Sequence, residues 1–344
     1  MVFELSLASI FALVSSSVGG TLAALLWASP KSNARWLAAF VAVISFALLS
    51  GVIHSLGQLH KVLNGLVFIN FLAVPCLFRY VAPAVGISVL RFWLHLLPSA
   101  LVAIVPVMFT GFPHTYIYYL LTSQVMIYLP VLIYLVRRYR HNLKQSFSSL
   151  SGIDLLWLEQ VCWGLLVLVT FDLMVFPLMA LGDNNLFDAQ AVFNFLGTVY
   201  IFWLTRSAQQ QYFVATEPIV TAAYDKSGLD ADSADAIARD IIETIDCQRL
   251  YLKPALTLRE LAQAAGVTPH VASEVLNTAI GQSFYDFINS RRINEAKKLL
   301  RETDITVLEI AFAVGFNNKV SFNNAFKRYA KTTPSHFRRL HIVD

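Results

Sequence analysis

The chain has 344 residues, 56% of them apolar and 14% charged, with a net charge of +4. Ordinary soluble domains run nearer 45–50% apolar and about 25% charged, so a single plain globular enzyme is excluded. The charges are also unevenly placed: residues 1–206 hold 10 bases and 6 acids, residues 207–344 hold 16 of each, and only the second stretch has a soluble composition.

A helix that crosses the hydrocarbon core needs about 20 mostly apolar residues. Residues 5–30, 36–60 and 62–78 carry no Asp, Glu, Lys or Arg. The run 92–136 is too long for one span, and Gly111-Phe112-Pro113-His114-Thr115 divides it into two. Residues 155–181 and about 189–205 complete seven expected spans. The first is read as a retained helix rather than a signal peptide, because Met-Val-Phe-Glu precedes it without a base. Lys31, Arg35, Arg79, Arg91, Arg137, Arg138, Arg140, Lys144 and Arg206 fall in one set of loops and Lys61 alone in the other. Basic loops stay cytoplasmic, which puts the N-terminus outside and everything after Arg206 in the cytoplasm. The outer loops are short, so a signal has to enter the bundle, come from lipid or arrive through another protein.

Asp172 lies near the middle of the sixth span, where an ionised carboxylate is costly unless paired or wet, and is the membrane ligand or switch candidate. The alternative is a neutral carboxyl bonded to Asn70 or Asn194 that serves helix packing. His54, His60 and His114 match no ligand spacing, and Cys76, Cys162 and Cys247 form no pair or cluster, so neither a metal nor any other cofactor is expected. The lysines of this half all fall in expected loops, which argues against a retinal Schiff base. No phosphate loop or nucleophile-base motif appears, and an enzyme is not expected.

Residues 217–246 hold eight acids and two bases, whereas 247–344 hold 14 bases and 8 acids. A basic terminal domain behind an acidic connector is the asymmetry of a nucleic-acid binder. Ala234, Ile237, Ala238, Ile241, Ile242 and Ile245 recur at helical spacing after Ser233, a candidate cap. That stripe either covers the domain behind it or pairs two copies as a homodimer.

Thr257 can cap a helix that buries Leu258, Leu261, Ala262 and Ala265; Gly266 makes a turn; Thr268 caps a second helix that buries Ala272, Val275 and Leu276. His270, Ser273, Glu274 and Asn277 are left outward. The pattern returns about 49 residues later, with Val307, Ile310, Ala311 and Val314, then Gly315-Phe316, then Phe322 and Phe326, leaving Lys319, Asn323, Asn324 and Lys327 on the polar side. A helix from Ser283 through Leu300 joins the two units. Helix, glycine turn, helix is the arrangement that lays its second helix in a major groove. The expected architecture is therefore all-α: a seven-helix transmembrane bundle at 1–206, a linker at 207–232, and a cytoplasmic double helix-turn-helix domain at 233–344.

LTLRELAQAAGVTP at 256–269, RRINEAKKLL at 291–300, ITVLEIAFAVGF at 305–316 and FNNAFKRYAKTTPSHFRR at 322–339 resemble the DNA-binding domain of the AraC/XylS family of bacterial transcription regulators. Within that family, RLYLKPALTL and SFYDFINSRRI are most similar to members attached to multi-span membrane segments. Lys331 departs from the pattern, since the family usually has Gly two residues before the Thr333-Pro334 pair, and a non-Gly residue there either adopts positive φ or changes the turn. The resemblance implies that the second helix of each unit reads successive major grooves of double-stranded DNA. His270, Ser273 and Glu274 then face bases in one groove and Lys319, Asn323 and Asn324 in the other. Arg291, Arg292, Lys327, Arg328, Arg338 and Arg339 suit phosphate contacts, or else intrahelical ion pairs. The implied function is a membrane-integrated, sequence-specific regulator that couples a small-molecule, lipid or protein signal to promoter binding. The alternative is a membrane receptor or transporter whose terminal domain binds protein.

Overall fold

The computed structural model describes residues 7–28, 34–55, 67–83, 85, 89–98, 100–101, 114–180, 195–197, 199–204, 206–207 and 229–341. They form two bodies, one from Met1–Arg138 and Leu155–Tyr212, the other from Tyr139–Asp154 and Phe213–Asp344. Among the described residues all regular structure is helical, and β pairing is limited to an isolated antiparallel bridge between Phe147 and Thr257.

In the N-terminal body, α1 (Leu7–Trp27) and α2 (Ala34–Ser55) correspond to the first two apolar runs. They approach closely at Gly19, where an added Cβ would lie 2.0 Å from the Ser45 hydroxyl. Ser45 in turn donates to the Val41 carbonyl at 2.7 Å, so this small-residue contact leaves no hydroxyl unbonded. The third run is a 3-10 segment, Val67–Leu72, that passes into α3 (Ala73–Val81). A 3-10 helix, Val89–Leu96, begins the fourth. The break expected at 111–115 coincides with the start of α4 (His114–Ser146), and α5 (Leu156–Ala180) fills the sixth run. Residues 195–197 and 199–204 are helical within the seventh.

Two described helices are long and apolar enough to cross a membrane, at Ile10–Trp27 and Tyr119–Ser146; shorter apolar helices cover Ala34–Ala47, Ile69–Val81, Leu156–Phe171 and Phe195–Leu204. One expectation is corrected here. Arg137, Arg138, Arg140 and Lys144 lie in the last turns of α4, not in a loop after it. Long basic side chains can leave an apolar helix end for water without breaking the backbone bonds, so the helix continues past the point where its composition changes. Arg137 also pairs with Glu159 of α5 at 2.7 Å and lies over the Trp163 ring. Asp172 belongs to α5, but its side chain, with those of His54 and His114, lies outside the described part of the structure. His60 and Asn194 lie outside the described residues altogether.

The C-terminal body is built from six helices and one shared connector. Helix α6 (Ala231–Cys247) is capped by Asp230, which accepts from the Ser233 N–H at 3.1 Å. The cap is thus three residues earlier than the candidate Ser233, because the carboxylate is a better acceptor for the first amides and the helix N-terminus favours its charge. Ala238, Ile241 and Ile245 are buried and Ala234 and Ile237 pack beside them, so the stripe covers the domain behind it. Helices α7 (Leu258–Ala264) and α8 (Pro269–Thr278) make the first unit, α9 (Phe284–Glu302) the connector, α10 (Val307–Ala313) and α11 (Lys319–Ala330) the second unit, and α12 (Pro334–His341) closes the body.

Two apolar cores result, and α9 belongs to both. Phe284, Phe287 and Ile288 from its first half join Leu258, Leu261, Val275 and Leu276, while Ile293, Ala296 and Leu300 from its second half join Ile310, Val314, Phe322 and Phe326. Each fully buried Leu, Ile or Phe of this kind contributes about 1.5–3 kcal/mol.

After α11 the chain turns at Lys331, whose φ of 57° and ψ of 13° are left-handed. The positive-φ alternative is the one adopted. A side chain there costs about 1 kcal/mol relative to glycine. Lys331→Gly is therefore expected to stabilise the second unit by about 1 kcal/mol, seen as roughly fivefold slower hydrogen exchange of the α11 amides. Unchanged or faster exchange would mean that the lysine side chain offsets its backbone strain.

Candidate nucleic-acid interface

Each unit begins with the same reciprocal cap. The Thr257 N–H donates to Glu260 Oε2 at 2.9 Å while the Glu260 N–H donates to Thr257 Oγ1 at 3.3 Å; Thr306 and Glu309 repeat the pair at 2.7 and 3.2 Å. The Glu260 carboxyl is held below its usual range: burial opposes this, but the bonds from Lys253 and Thr257 outweigh it. Glu309 is lowered by the backbone and hydroxyl of Thr306. Both carboxylates are thus ionised at neutral pH, at helix N-termini that favour negative charge.

Each unit turns the same way too. Val267 N–H donates to Ala262 O and Gly266 N–H to Gln263 O; Phe316 N–H donates to Ala311 O and Gly315 N–H to Phe312 O. This double closure needs a left-handed residue, supplied by Gly266 at φ 70° and Gly315 at φ 90°. Thr268 then caps α8 through the Val271 N–H at 3.3 Å, and Asn318 caps α11 through the Ser321 N–H at 2.8 Å. The sequence pattern located the Thr268 cap; Asn318 was hidden in a run of four polar residues, Asn317 to Lys319 and Ser321, interrupted by Val320.

The candidate base readers divide. Lys319 and Asn324 are exposed on α11 and Asn323 is half-buried beside them. On α8, His270 and Glu274 are half-buried. Ser273, expected to point outward, is only 4% exposed. One turn on, Asn277 Nδ2 donates to the Ser273 carbonyl at 2.7 Å and to Gln145 Oε1 at 2.9 Å, so residues from the 139–154 segment pack onto this helix.

The candidate phosphate residues divide as well. Lys327 and Arg339 are exposed. Arg291 pairs with Asp246 at 2.8 Å and stacks over the Phe287 ring, and Arg328 pairs with Asp286 at 2.9 Å. Arg338 donates to the Ile305 carbonyl at 2.6 Å. The pairs of Arg291 and Arg328 join different helices, in place of the intrahelical pairs that the sequence suggested.

Arg292 is a plain correction. It is fully buried, and it donates from Nε to Tyr251 O at 2.6 Å and from Nη2 to Lys253 O at 2.7 Å, with further bonds to Asn289 Oδ1 and Ser148 Oγ. Its position explains this: Ile288, Arg292 and Ala296 follow at four-residue steps, so Arg292 lies on the core stripe of α9. Burial pushes the guanidinium down to about 10, still charged at neutral pH. It ties the loop before α7 to the connector helix rather than binding an anion.

Two side chains that sequence reasoning passed over hold the units together. Asp286 accepts from its own cap Ser283, from Arg328 and from the Tyr329 hydroxyl at 2.6 Å, which locks α9 to α11. Burial and that carboxylate both push the Tyr329 phenol up. Asn289, fully buried, donates to the Ser148 carbonyl at 3.1 Å. Among the described residues no group of three or more His, Cys, Asp or Glu could hold a metal ion.

This geometry defines a class. Residues 261–340 match the family model described as a helix-turn-helix domain. The chain is 35% identical over 99 residues to the HTH-type transcriptional regulator GlxA of Rhizobium meliloti, covering 29% of this chain and 31% of that protein. It is 28% identical over 105 residues to the probable transcription factor PqrA of Proteus vulgaris, covering 30% of this chain and 85% of that protein. Among solved structures it is similar to the C-terminal domain of AraT, a response regulator from Geobacillus stearothermophilus, at 30% identity with a TM-score of 0.28, over 30% of this chain and 84% of that one. The chain thus spans about a third of GlxA. Its C-terminal region is a helix-turn-helix domain similar to those of transcription regulators.

Proposed function

We propose that this chain is a membrane-integrated transcription regulator of the AraC/XylS type. Residues 1–206 cross a bacterial inner membrane in seven spans with the N-terminus outside, and residues 233–344 bind promoter DNA at its cytoplasmic face, as a monomer or a homodimer. The observation that carries this reading is the doubled unit: two reciprocal caps, two left-handed glycine turns and two side-chain-capped second helices on one shared connector. Such a unit presents a helix to a major groove, and a pair of them fits two grooves on one side of a duplex. The apolar helices support the membrane assignment by length and composition. Asp172 in α5 is the candidate switch through which a ligand or lipid in the bundle acts.

The test is binding of the full chain, in detergent or nanodiscs, to chromosomal DNA fragments over a salt series. A subset of fragments is expected to be retained selectively, with affinity falling linearly in log salt, because each phosphate contact releases a counterion. Retention of no fragment, combined with solute uptake by the reconstituted protein, would replace this reading with a transporter or receptor whose terminal domain binds protein.

A further inference from the structure

Residues 145–151 run from the last two residues of α4 into the connection to α5, and they belong to the C-terminal body. There they touch both helix-turn-helix units and the connector. Gln145 is buried and accepts from Asn277 of α8. The Ser148 N–H and hydroxyl both donate to the Leu256 carbonyl, at 3.2 and 2.7 Å, beside the Phe147–Thr257 bridge. Asn289 and Arg292 of α9 bond to the Ser148 carbonyl and hydroxyl. Asn317 donates to Ser149 Oγ at 3.4 Å, and Asn318, the cap of α11, donates to Ser151 Oγ at 2.9 Å.

These are the edges that a duplex would need. A reading helix enters a groove about 12 Å wide with its N-terminal residues against the base edges. Asn317 and Asn318 lead into the N-terminus of α11, and the segment holds both. On α8 the candidate reader Ser273 is only 4% exposed beside the Asn277–Gln145 bond. The segment's chemistry also resembles that of DNA edges. The Gln145 carbonyl and the serine hydroxyls accept from the Asn amides, as adenine N7 and phosphate oxygens can.

We propose that residues 145–151 are an internal occupant of the DNA-reading face, and that promoter binding requires this segment to leave. The inference rests on the DNA-binding reading given above. It makes the α4–α5 connection the moving part: a signal that shifts the end of α4 or the start of α5 pulls on the segment and frees the Asn277 side of α8 and the approach to α11 together. DNA and the segment then compete, so a protein with a weakened segment binds DNA more tightly without any new contact.

The test uses the full chain in nanodiscs, with chromosomal DNA fragments as the probe. In one variant, Ser149→Cys and Asn317→Cys are combined with Cys247→Ser, and the new thiols are bridged by a short bis-methanethiosulfonate that dithiothreitol removes. In a second, Gln145→Ala, Ser149→Ala and Ser151→Ala loosen the segment and leave both helix-turn-helix units intact. Bridging is expected to proceed without DNA, to abolish DNA retention, and to be reversed by reduction; the triple variant is expected to bind DNA about tenfold more tightly than wild type. Failure to bridge, equal retention by bridged and reduced protein, or a triple variant with wild-type affinity would overturn the proposal while leaving DNA binding in place. If Asn317→Cys itself weakens binding, the triple variant decides. Absence of DNA retention by every protein, the triple variant included, would overturn the DNA-binding reading and this inference with it.

Discussion

Gly315→Ala is expected to destabilise the second helix-turn-helix unit by about 3 kcal/mol or more, whereas Gly266→Ala, its counterpart in the first unit, is expected to cost only about 1 kcal/mol. Both glycines have positive φ, so both variants carry the left-handed strain of a side chain. The surroundings differ. A Cβ on Gly266 meets nothing within 4 Å, but a Cβ on Gly315 would lie 2.6 Å from the Leu252 carbonyl oxygen and 3.1 Å from that of Tyr251. Those atoms are backbone, and the Tyr251 carbonyl is fixed by the Arg292 bond, so neither can swing aside as a side chain could. Hydrogen exchange of the α8 and α11 amides in the two variants measures the difference, and equal losses would show that the backbone at Leu252 yields freely.

The second large effect is at Arg292. Arg292→Met is expected to cost about 3–5 kcal/mol, since it leaves the carbonyls of Tyr251 and Lys253 without their donor and empties a fork that a thioether cannot replace. Arg292→Lys should recover only part of this, because an ammonium group cannot reproduce the planar spread of Nε and Nη2 donors. Arg291→Met is the control. Its ion pair with Asp246 is partly solvated, and such pairs contribute about 1 kcal/mol or less. The two arginines should also separate in DNA binding: Arg291→Met is expected to flatten the salt dependence, and Arg292→Met to leave the slope unchanged in the folded fraction. A flattened slope for Arg292→Met would return that residue to the phosphate-contacting set.

How far the sequence could be read depended on how local each determinant is. The caps at Thr257 and Thr268 and the turns at Gly266 and Gly315 are settled within a few residues by capping and by left-handed φ, and the structure has them where the pattern placed them; the return bond from Glu260 was not foreseen. The α6 stripe left two destinations open, and packing selected the intramolecular one. Ser273 and Arg292 went wrong for different reasons. The α9 stripe at four-residue steps already contained Arg292, and charge alone drew it to the surface in the reading. Nothing near Ser273 in sequence foretells burial, because its neighbour Asn277 bonds Gln145, 132 residues from that asparagine. A separation of 141 residues likewise hid the bond between Ser148 and Asn289, which no helical period connects. For the apolar half, composition located the runs that become α1, α2, α4 and α5 but not the end of α4, where four basic residues extend the helix instead of ending it.

Because α9 contributes to both cores, its 19 residues act as a ruler. At about 1.5 Å per residue, that length is near 28 Å, on the scale of one turn of DNA. Neither end of the ruler can slide without opening a core, and Asp286 clamps it to Arg328 and Tyr329 besides. Any mismatch in spacing therefore falls on the duplex. Operators that bend or compress easily between their two half-sites would be favoured over stiffer ones with identical contacted bases, so part of the selectivity would reside in base pairs that the protein never touches.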